Sequence, residues 1–301
     1  MTKSIYPVDI AIIGGTGLYS LPGLETLETL EMMTPWGAPS SPITISRTKA
    51  EGTCVAFIAR HGLHHTLNPT EVPYRANIAA LKHLGVQVVL SFSAVGSLRE
   101  ELAPGHFILP SQCIDRTKGI RPHTFFEGGA IAHVGFADPY NSELAKVIQT
   151  TAEKALPTLK VHSDKTLVCM EGPAFSTRAE SHMYRSWGGD VINMSGLPEA
   201  KLAREAQLAY QTVCMSTDYD CWRQEKEAVN VTSVMEVMKG NGVNAAALIL
   251  AIIPALSQAL KVGEAGVSLV QNIISTSCLT PLKDIPESTR ESLRYLHPEH
   301  F

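Results

Sequence analysis

The amino-acid sequence predicts the α/β class: a single-domain, three-layer α/β/α fold over residues 1–301, with helices on both faces of a central twisted sheet that is largely parallel or mixed. Three observations predict it. Short continuous apolar runs recur along the chain. Stretches with helical spacing alternate with them. Many of the apolar runs end in a glycine-rich or polar cluster, as strands do where they leave a buried sheet.

The elements follow in order. Val8 to Ile13 reads as a buried strand ending in the glycine turn Gly14-Gly15-Thr16-Gly17, and Cys54 to Ala59 as a second strand ending in Arg60-His61-Gly62. Ala76 to Leu84 has helical spacing, with Ile78, Leu81 and Leu84 on one side and Gly85 as a stop. Val86 to Phe92 is another apolar run, ending in Ser93-Ala94-Val95-Gly96-Ser97, and His106 to Leu109 is a short strand. Residues Asp115 to Asp138, rich in Gly, Pro, His and Phe, read as a long loop, and such loops are often functional. Ser142 to Leu156 reads as a helix and Thr166 to Met170 as a strand. Thr177-Arg178-Ala179-Glu180 has capping-box spacing and opens a helix reaching about Trp187. Val191 to Met194 is a short strand, Pro198 sits in the first turn of the next helix, and Leu208 to Cys214 is a buried strand. Val231 to Leu260 is helical, with an interruption expected at Gly240–Gly242. The polar segment 280–301 forms a final helix or tail.

Composition narrows the function. With 45% hydrophobic and 18% charged residues the chain has ample material for a core. A net charge of -4 argues against a general nucleic-acid or membrane-surface binder, because both need a dense basic face. No run is expected to cross a membrane, and the N-terminus lacks the apolar stretch of a signal peptide. Six scattered cysteines without a CxxC pair fit reduced thiols and a cytoplasmic, or also nuclear, location.

The most informative stretch is Met215-Ser216-Thr217-Asp218-Tyr219-Asp220-Cys221-Trp222. Two carboxylates stand two residues apart where an apolar strand ends, the edge at which open α/β sheets bind ligands. Such groups can accept from an amine or hand a proton to a ring nitrogen; a solvated Asp pair is the plain alternative. A parallel sheet would bring this stretch to the same edge as Gly14-Gly15-Thr16, Arg60-His61-Gly62, Ser93 to Ser97 and Asn193-Met194-Ser195. Together these supply an arginine, hydroxyls and freed backbone N–H groups, and an arginine can grip phosphate bidentately. A ligand with phosphate at one end and an amino-purine at the other matches the set. A dinucleotide turn is disfavoured because Ser20 stands where the third glycine of G-x-G-x-x-G belongs. No metal is expected, since His64 and His65 have no third ligand at recognisable spacing.

Several motifs point further: Ile12-Ile13-Gly14-Gly15-Thr16-Gly17-Leu18, Ala59-Arg60-His61-Gly62, Gly96-Ser97-Leu98-Arg99, Glu171-Gly172-Pro173, Phe175-Ser176-Thr177-Arg178-Ala179-Glu180, Asp190-Val191-Ile192-Asn193-Met194 and Thr217-Asp218-Tyr219-Asp220-Cys221-Trp222. In this order they resemble the trimeric nucleoside phosphorylases, from Ile12 to about Met235, and most closely the branch acting on S-methyl-5′-thioadenosine. The resemblance implies a nucleoside-phosphorylase-like fold, a homotrimer, and a pentosyl transfer in which inorganic phosphate attacks C1′ and releases adenine, as in purine and methionine salvage. Phosphate is then a substrate, and no cofactor is implied. By the same resemblance Thr16, Arg60, His61, Ser93, Ala94 and Ser195 would hold phosphate, Met194 would line the ribose, and Phe175 would stack near the purine. Asp218 would be the acid toward N7, needing a raised pKa to keep its proton, and Asp220 would meet the exocyclic amine. Val231, Val234 and Met235 would form the methylthio pocket, with His133 supplied by a neighbouring subunit. The chain departs from the family at Ala174, where a basic residue is common, and at Ser93 and Ser195, where threonine is common. The competing readings are a phosphorylase for 6-oxopurine nucleosides and a nucleoside-binding protein without catalysis.

Overall fold

The computed structural model describes residues 4–18, 20–21, 23–49, 52–223 and 231–301, with 231–236 described in backbone only. Among the described residues nine strands make one sheet: β1 (Ile10–Gly14), β2 (Glu25–Leu30), β3 (Ile43–Arg47), β4 (Cys54–Ala59), β5 (Val88–Ser97), β6 (Phe107–Arg116), β7 (Val161–Met170), β8 (Val191–Asn193) and β9 (Ala209–Asp218). The helices are α1 (Tyr74–His83), α2 (Ser142–Ala155), α3 (Arg178–Ser186), α4 (Glu199–Glu205), α5 (Val231–Val262), α6 (Ile273–Ser277) and α7 (Glu287–Arg294).

Alternation along the strands shows why helices cover both faces. On β1, Ala11 and Ile13 join a core with Ile78 and Leu81 of α1 and with Leu202 and Ala203 of α4. Ile10 and Ile12 join a second core with Leu144 and Ile148 of α2 and with Leu248 and Ile252 of α5. Successive strand side chains point to opposite faces, so a strand apolar at every position is buried on both.

The sheet is mixed. Parallel pairings join β1 to β4 and β5, β5 to β9, β6 to β7 and β7 to β8. Antiparallel pairings join β2 to β3, β3 to β4, β5 to β8 and β6 to β9. The ten-residue β5 does double duty: Val88–Ser91 pairs with β1, and Gly96–Ser97 pairs with β8. Its other edge follows β9 throughout, so β5, β8, β7, β6 and β9 close into a ring beside an open wing of β1 to β4.

The antiparallel ribbon β2–β3 has no counterpart in the sequence reading. β2 is Glu-Thr-Leu-Glu-Thr-Leu at the sheet edge and half exposed, so it carries no continuous apolar run. The capping box of α3 forms as the spacing predicts: the Glu180 N–H donates to Thr177 Oγ1 and the Thr177 N–H donates to the Glu180 carboxylate.

Two expectations need correction at α5. The helix runs unbroken through Gly240–Gly242, because it crosses the β1 turn there: a Cβ on Gly242 would stand 3.0 Å from the Gly17 carbonyl oxygen, and Asn241 Nδ2 donates to the Ser216 carbonyl. Residues Val237–Val262 are also long and apolar enough to cross a membrane, contrary to the expectation that no run would be. Their apolarity has another use: Ala245, Leu248, Ile249, Ile252, Ile253 and Leu256 are all buried against the sheet.

Ile252 is fully buried in this layer. Ile252→Ala should lower the unfolding free energy by about 2–5 kcal/mol in urea titration, and a smaller loss would show that α5 is not the covering layer.

Candidate active site

Six strand ends meet around one cavity of about 700 Å³, among them that of β7 through Met170. Thr16 comes from the turn after β1, Arg60 and His61 from the end of β4, and Ser93 to Gly96 from β5. Ile192 to Ser195 come from the end of β8, and Thr217 and Asp218 from β9. The β1 turn can lie this close only because it lacks side chains: a Cβ on Gly15 would stand 2.4 Å from the Phe92 carbonyl oxygen and 2.8 Å from Arg60 Nη1.

Arg60 does not present a free fork to the cavity, as the bidentate phosphate grip would require. Its Nε and Nη2 donate to the two oxygens of Glu199 at 2.7 and 3.1 Å, Nη2 also donates to Ser91 Oγ, and Nη1 donates to the Phe92 carbonyl. Among the described residues one hydrogen on Nη1 is left over. Both partners are almost wholly buried. Burial works against the guanidinium charge, but Glu199 outweighs it and the Arg60 pKa is raised. The reason for the arrangement is desolvation: a charge taken out of water here needs a counter-charge and full hydrogen bonding.

His61 is held neutral. Burial first, and the Arg60 charge second, lower its pKa to about 4. Its Nδ1 lies 2.9 Å from the Leu67 carbonyl oxygen, which can only accept, so the ring hydrogen sits on Nδ1 and Nε2 is an acceptor. The His65 ring packs on it at 4.8 Å. Beside them, Asn193 Nδ2 donates to Ser93 Oγ at 3.0 Å, and the Ser93 and Ser195 hydroxyl oxygens are 3.4 Å apart. Asn193 thereby fills an acceptor position on Ser93.

The rim is tied by a second buried pair. Arg121 Nε donates to Glu171 Oε1 at 2.6 Å, Thr70 Oγ1 donates to the same oxygen, and the Lys118 N–H donates to Oε2. Burial favours a protonated Glu171, but the Lys118 N–H, Thr70 and Arg121 together hold its pKa below the usual range. Arg121 also donates to the carbonyls of Met194 and Leu197. One carboxylate and one guanidinium so connect the 65–71 segment, the end of β7 and the 194–197 turn, and all three border the cavity.

At the far end Asp218 is half-buried. Its Oδ1 accepts the Asp220 N–H at 2.8 Å and its Oδ2 lies 2.7 Å from Thr217 Oγ1. Asp220 stands behind it, 9% exposed and not among the lining residues. Ser181 Oγ donates to Asp220 Oδ2 at 2.6 Å. Burial pushes the Asp220 pKa up; Ser181 and the Cys221 N–H oppose it, and the Asp218 charge adds to it.

Of the residues singled out from the sequence, Thr16, Arg60, His61, Ser93, Ala94, Phe175, Met194, Ser195 and Asp218 line this cavity, with Phe175 at its exposed rim. Asp220 is one layer back. The side chains of Val231, Val234 and Met235 lie outside the described residues; one turn on, Met238 lines the cavity. His133 is exposed and does not reach its own chain's cavity, and its N–H donates to the Ser277 carbonyl. Ala174 is exposed between two lining residues. Sequence reasoning missed Met238 and the 66–71 segment as lining groups, and placed Asn193 and Thr217 in the strand-end clusters without giving them a role. Asn193 and Thr217 were readable, each adjoining a named residue at a strand end; the 66–71 segment carries no pattern. A second cavity of similar volume between β6, β9 and α2 contains none of the singled-out residues.

The chain belongs to the phosphorylase superfamily, whose family model matches residues 9–254. Its relatives include the S-methyl-5′-thioadenosine phosphorylase of Neurospora crassa, 59% identical over 256 residues that cover 83% of this chain and 81% of that one. The protein of the same name from Schizosaccharomyces pombe is 52% identical over 285 residues, 92% of each chain. A solved methylthioadenosine phosphorylase from an antarctic soil metagenomic library superposes with a TM-score of 0.86 at 41% identity, covering 96% of this chain and 98% of that one. The Schistosoma mansoni methylthioadenosine phosphorylase in complex with adenine gives 0.82 at 30% identity, with 90% and 98% covered.

Glu199→Ala should cost about 3–5 kcal/mol in urea unfolding, because it leaves the Arg60 charge buried and unpaired; a near-neutral result would refute the pairing. His61 gives a pH signature. The unfolded ring takes up a proton near 6.5 and the folded ring only near about 4, so stability falls as pH drops through that window and the loss levels off below it. His61→Gln should flatten this part of the curve, measured by urea unfolding at stepped pH.

Proposed function

We propose that the protein catalyses phosphorolysis of S-methyl-5′-thioadenosine to adenine and 5-methylthioribose 1-phosphate. The observation that carries the reading is that the Arg60–His61–Ser93–Ser195 cluster and the Asp218 carboxyl face one cavity. The names of its relatives support the substrate. Breaking the C1′–N9 bond builds positive charge on the sugar and negative charge on the purine. Phosphate at the first end stabilises the sugar and supplies the nucleophile, and holding it in line removes the entropic cost of an encounter. Asp218 at the other end hands a proton to N7, and Asp220 behind it accepts from the exocyclic amine. No cofactor enters, since phosphate is consumed as substrate.

On the same reading Val231, Val234 and Met235 form the methylthio pocket, a role supported by Met238 one turn further along α5. The chain is read as one domain acting in a homotrimer. His133 stands beside Ile131 and Leu279, 53% and 62% exposed, on two segments bridged at Ala132 and Cys278; this apolar surface suits a neighbouring copy, which would bring His133 to the next cavity. Light scattering tests the trimer. The cysteines are free thiols, in keeping with a cytoplasmic or nuclear setting.

Adenine release from S-methyl-5′-thioadenosine should require phosphate, and inosine should be the poorer substrate by kcat/KM; inosine winning would overturn the substrate assignment. Asp218→Ala should lower kcat about 10²–10⁴-fold while the nucleoside still binds, and unchanged turnover would remove the acid role.

A further inference from the structure

Thr217 is 5% exposed, and its side-chain oxygen touches two groups that ordinarily accept. Oγ1 lies 3.1 Å from the Val95 carbonyl oxygen and 2.7 Å from Asp218 Oδ2. A hydroxyl carries one hydrogen and a carbonyl carries none. That single hydrogen serves one of them fully: it points to Asp218 Oδ2 when the group is a carboxylate, or to Val95, which leaves Oγ1 free to accept from a protonated Oδ2. The other carboxyl oxygen is engaged as an acceptor, because the Asp220 N–H donates to Oδ1 at 2.8 Å.

We infer that Thr217 is a hydroxyl rotor serving Asp218 in both protonation states, accepting from the acid and, after turning away from Val95, donating to the carboxylate. The inference rests on the phosphorolysis reading and gives its acid a partner. With nucleoside bound, the Asp218 O–H bond breaks and an N7–H bond forms. The C1′–N9 electron pair passes into the purine, and a phosphate oxygen completes the new bond at C1′. Thr217 keeps its own hydrogen throughout and only redirects it, from the Val95 oxygen to Asp218 Oδ2, as negative charge appears there. Asp218 then regains a proton from solvent, balanced by the proton that the new hydrogen-phosphate ester gives up. Thr217 acts through Asp218 and is a positioning residue, worth the strength of a hydrogen bond to a charged group.

The test compares Thr217→Val and Thr217→Ala, which lack the hydroxyl, with Thr217→Ser, which keeps it, using S-methyl-5′-thioadenosine and phosphate. Both deletions should lower kcat about 10- to 100-fold and leave the nucleoside KM within about threefold. They should move the alkaline limb of the kcat profile to higher pH, because the carboxylate has lost a donor. Thr217→Ser should restore both rate and limb. Deletions with parental kcat and an unmoved limb overturn the rotor, as does a serine variant as slow as the deletions. A parent enzyme that releases no adenine from this nucleoside overturns the phosphorolysis reading instead, so the two failures are told apart.

Discussion

The buried pair of Arg60 and Glu199 is the constraint on which one end of the cavity depends. It joins the end of β4 to the first turn of α4, and Ser91 of β5 and Tyr210 of β9 complete it by donating to Glu199 Oε1. An unpaired guanidinium could not stay at this depth, and neither could an unpaired carboxylate. Because Glu199 answers the charge, that end has little surplus positive charge of its own. Among the described residues it offers one remaining Nη1 hydrogen, the hydroxyls of Thr16, Ser93 and Ser195, and the neutral ring of His61.

Glu171 and Arg121 do for the rim what Arg60 and Glu199 do for the floor. Their bonds run to backbone as much as to side chains: the Lys118 N–H and the carbonyls of Glu171, Met194 and Leu197. Fixing backbone in this way sets where Met194, Ser195 and the start of the 172–175 segment lie. The 63–66 segment beyond the pair is exposed, and the backbone and ring contacts between His61 and Leu67 close it into a short loop. A rim fixed at Glu171 and Arg121 but exposed at 63–66 is the division expected where ligands must enter.

Much of this was legible in the sequence, for identifiable reasons. β1 and β4 are buried on both faces, so their apolar runs are continuous, and α3 announces itself by a capping box. That the strand-end clusters would line one cavity was legible because strand ends are where such sheets bind, whereas the single roles came from the resemblance. β2 escaped notice because an exposed edge needs no apolar pattern, and the break assigned to Gly240–Gly242 failed because close packing on Gly17 outweighs helix propensity. The employment of the Arg60 fork was hidden too: its partner is 139 residues away, and nothing local to Glu199 marks it. Asp220 likewise depends on Ser181, a residue that as sequence is merely one more position in a helix.

The position of β5 has a mechanical consequence. It is at once a strand of the wing and a stave of the ring, and it carries Ser91, Ser93 and Val95 on one continuous ladder. Wing and ring therefore share a beam, and the spacing between the cavity-lining ends of β1, β5 and β9 is built into the ladder itself.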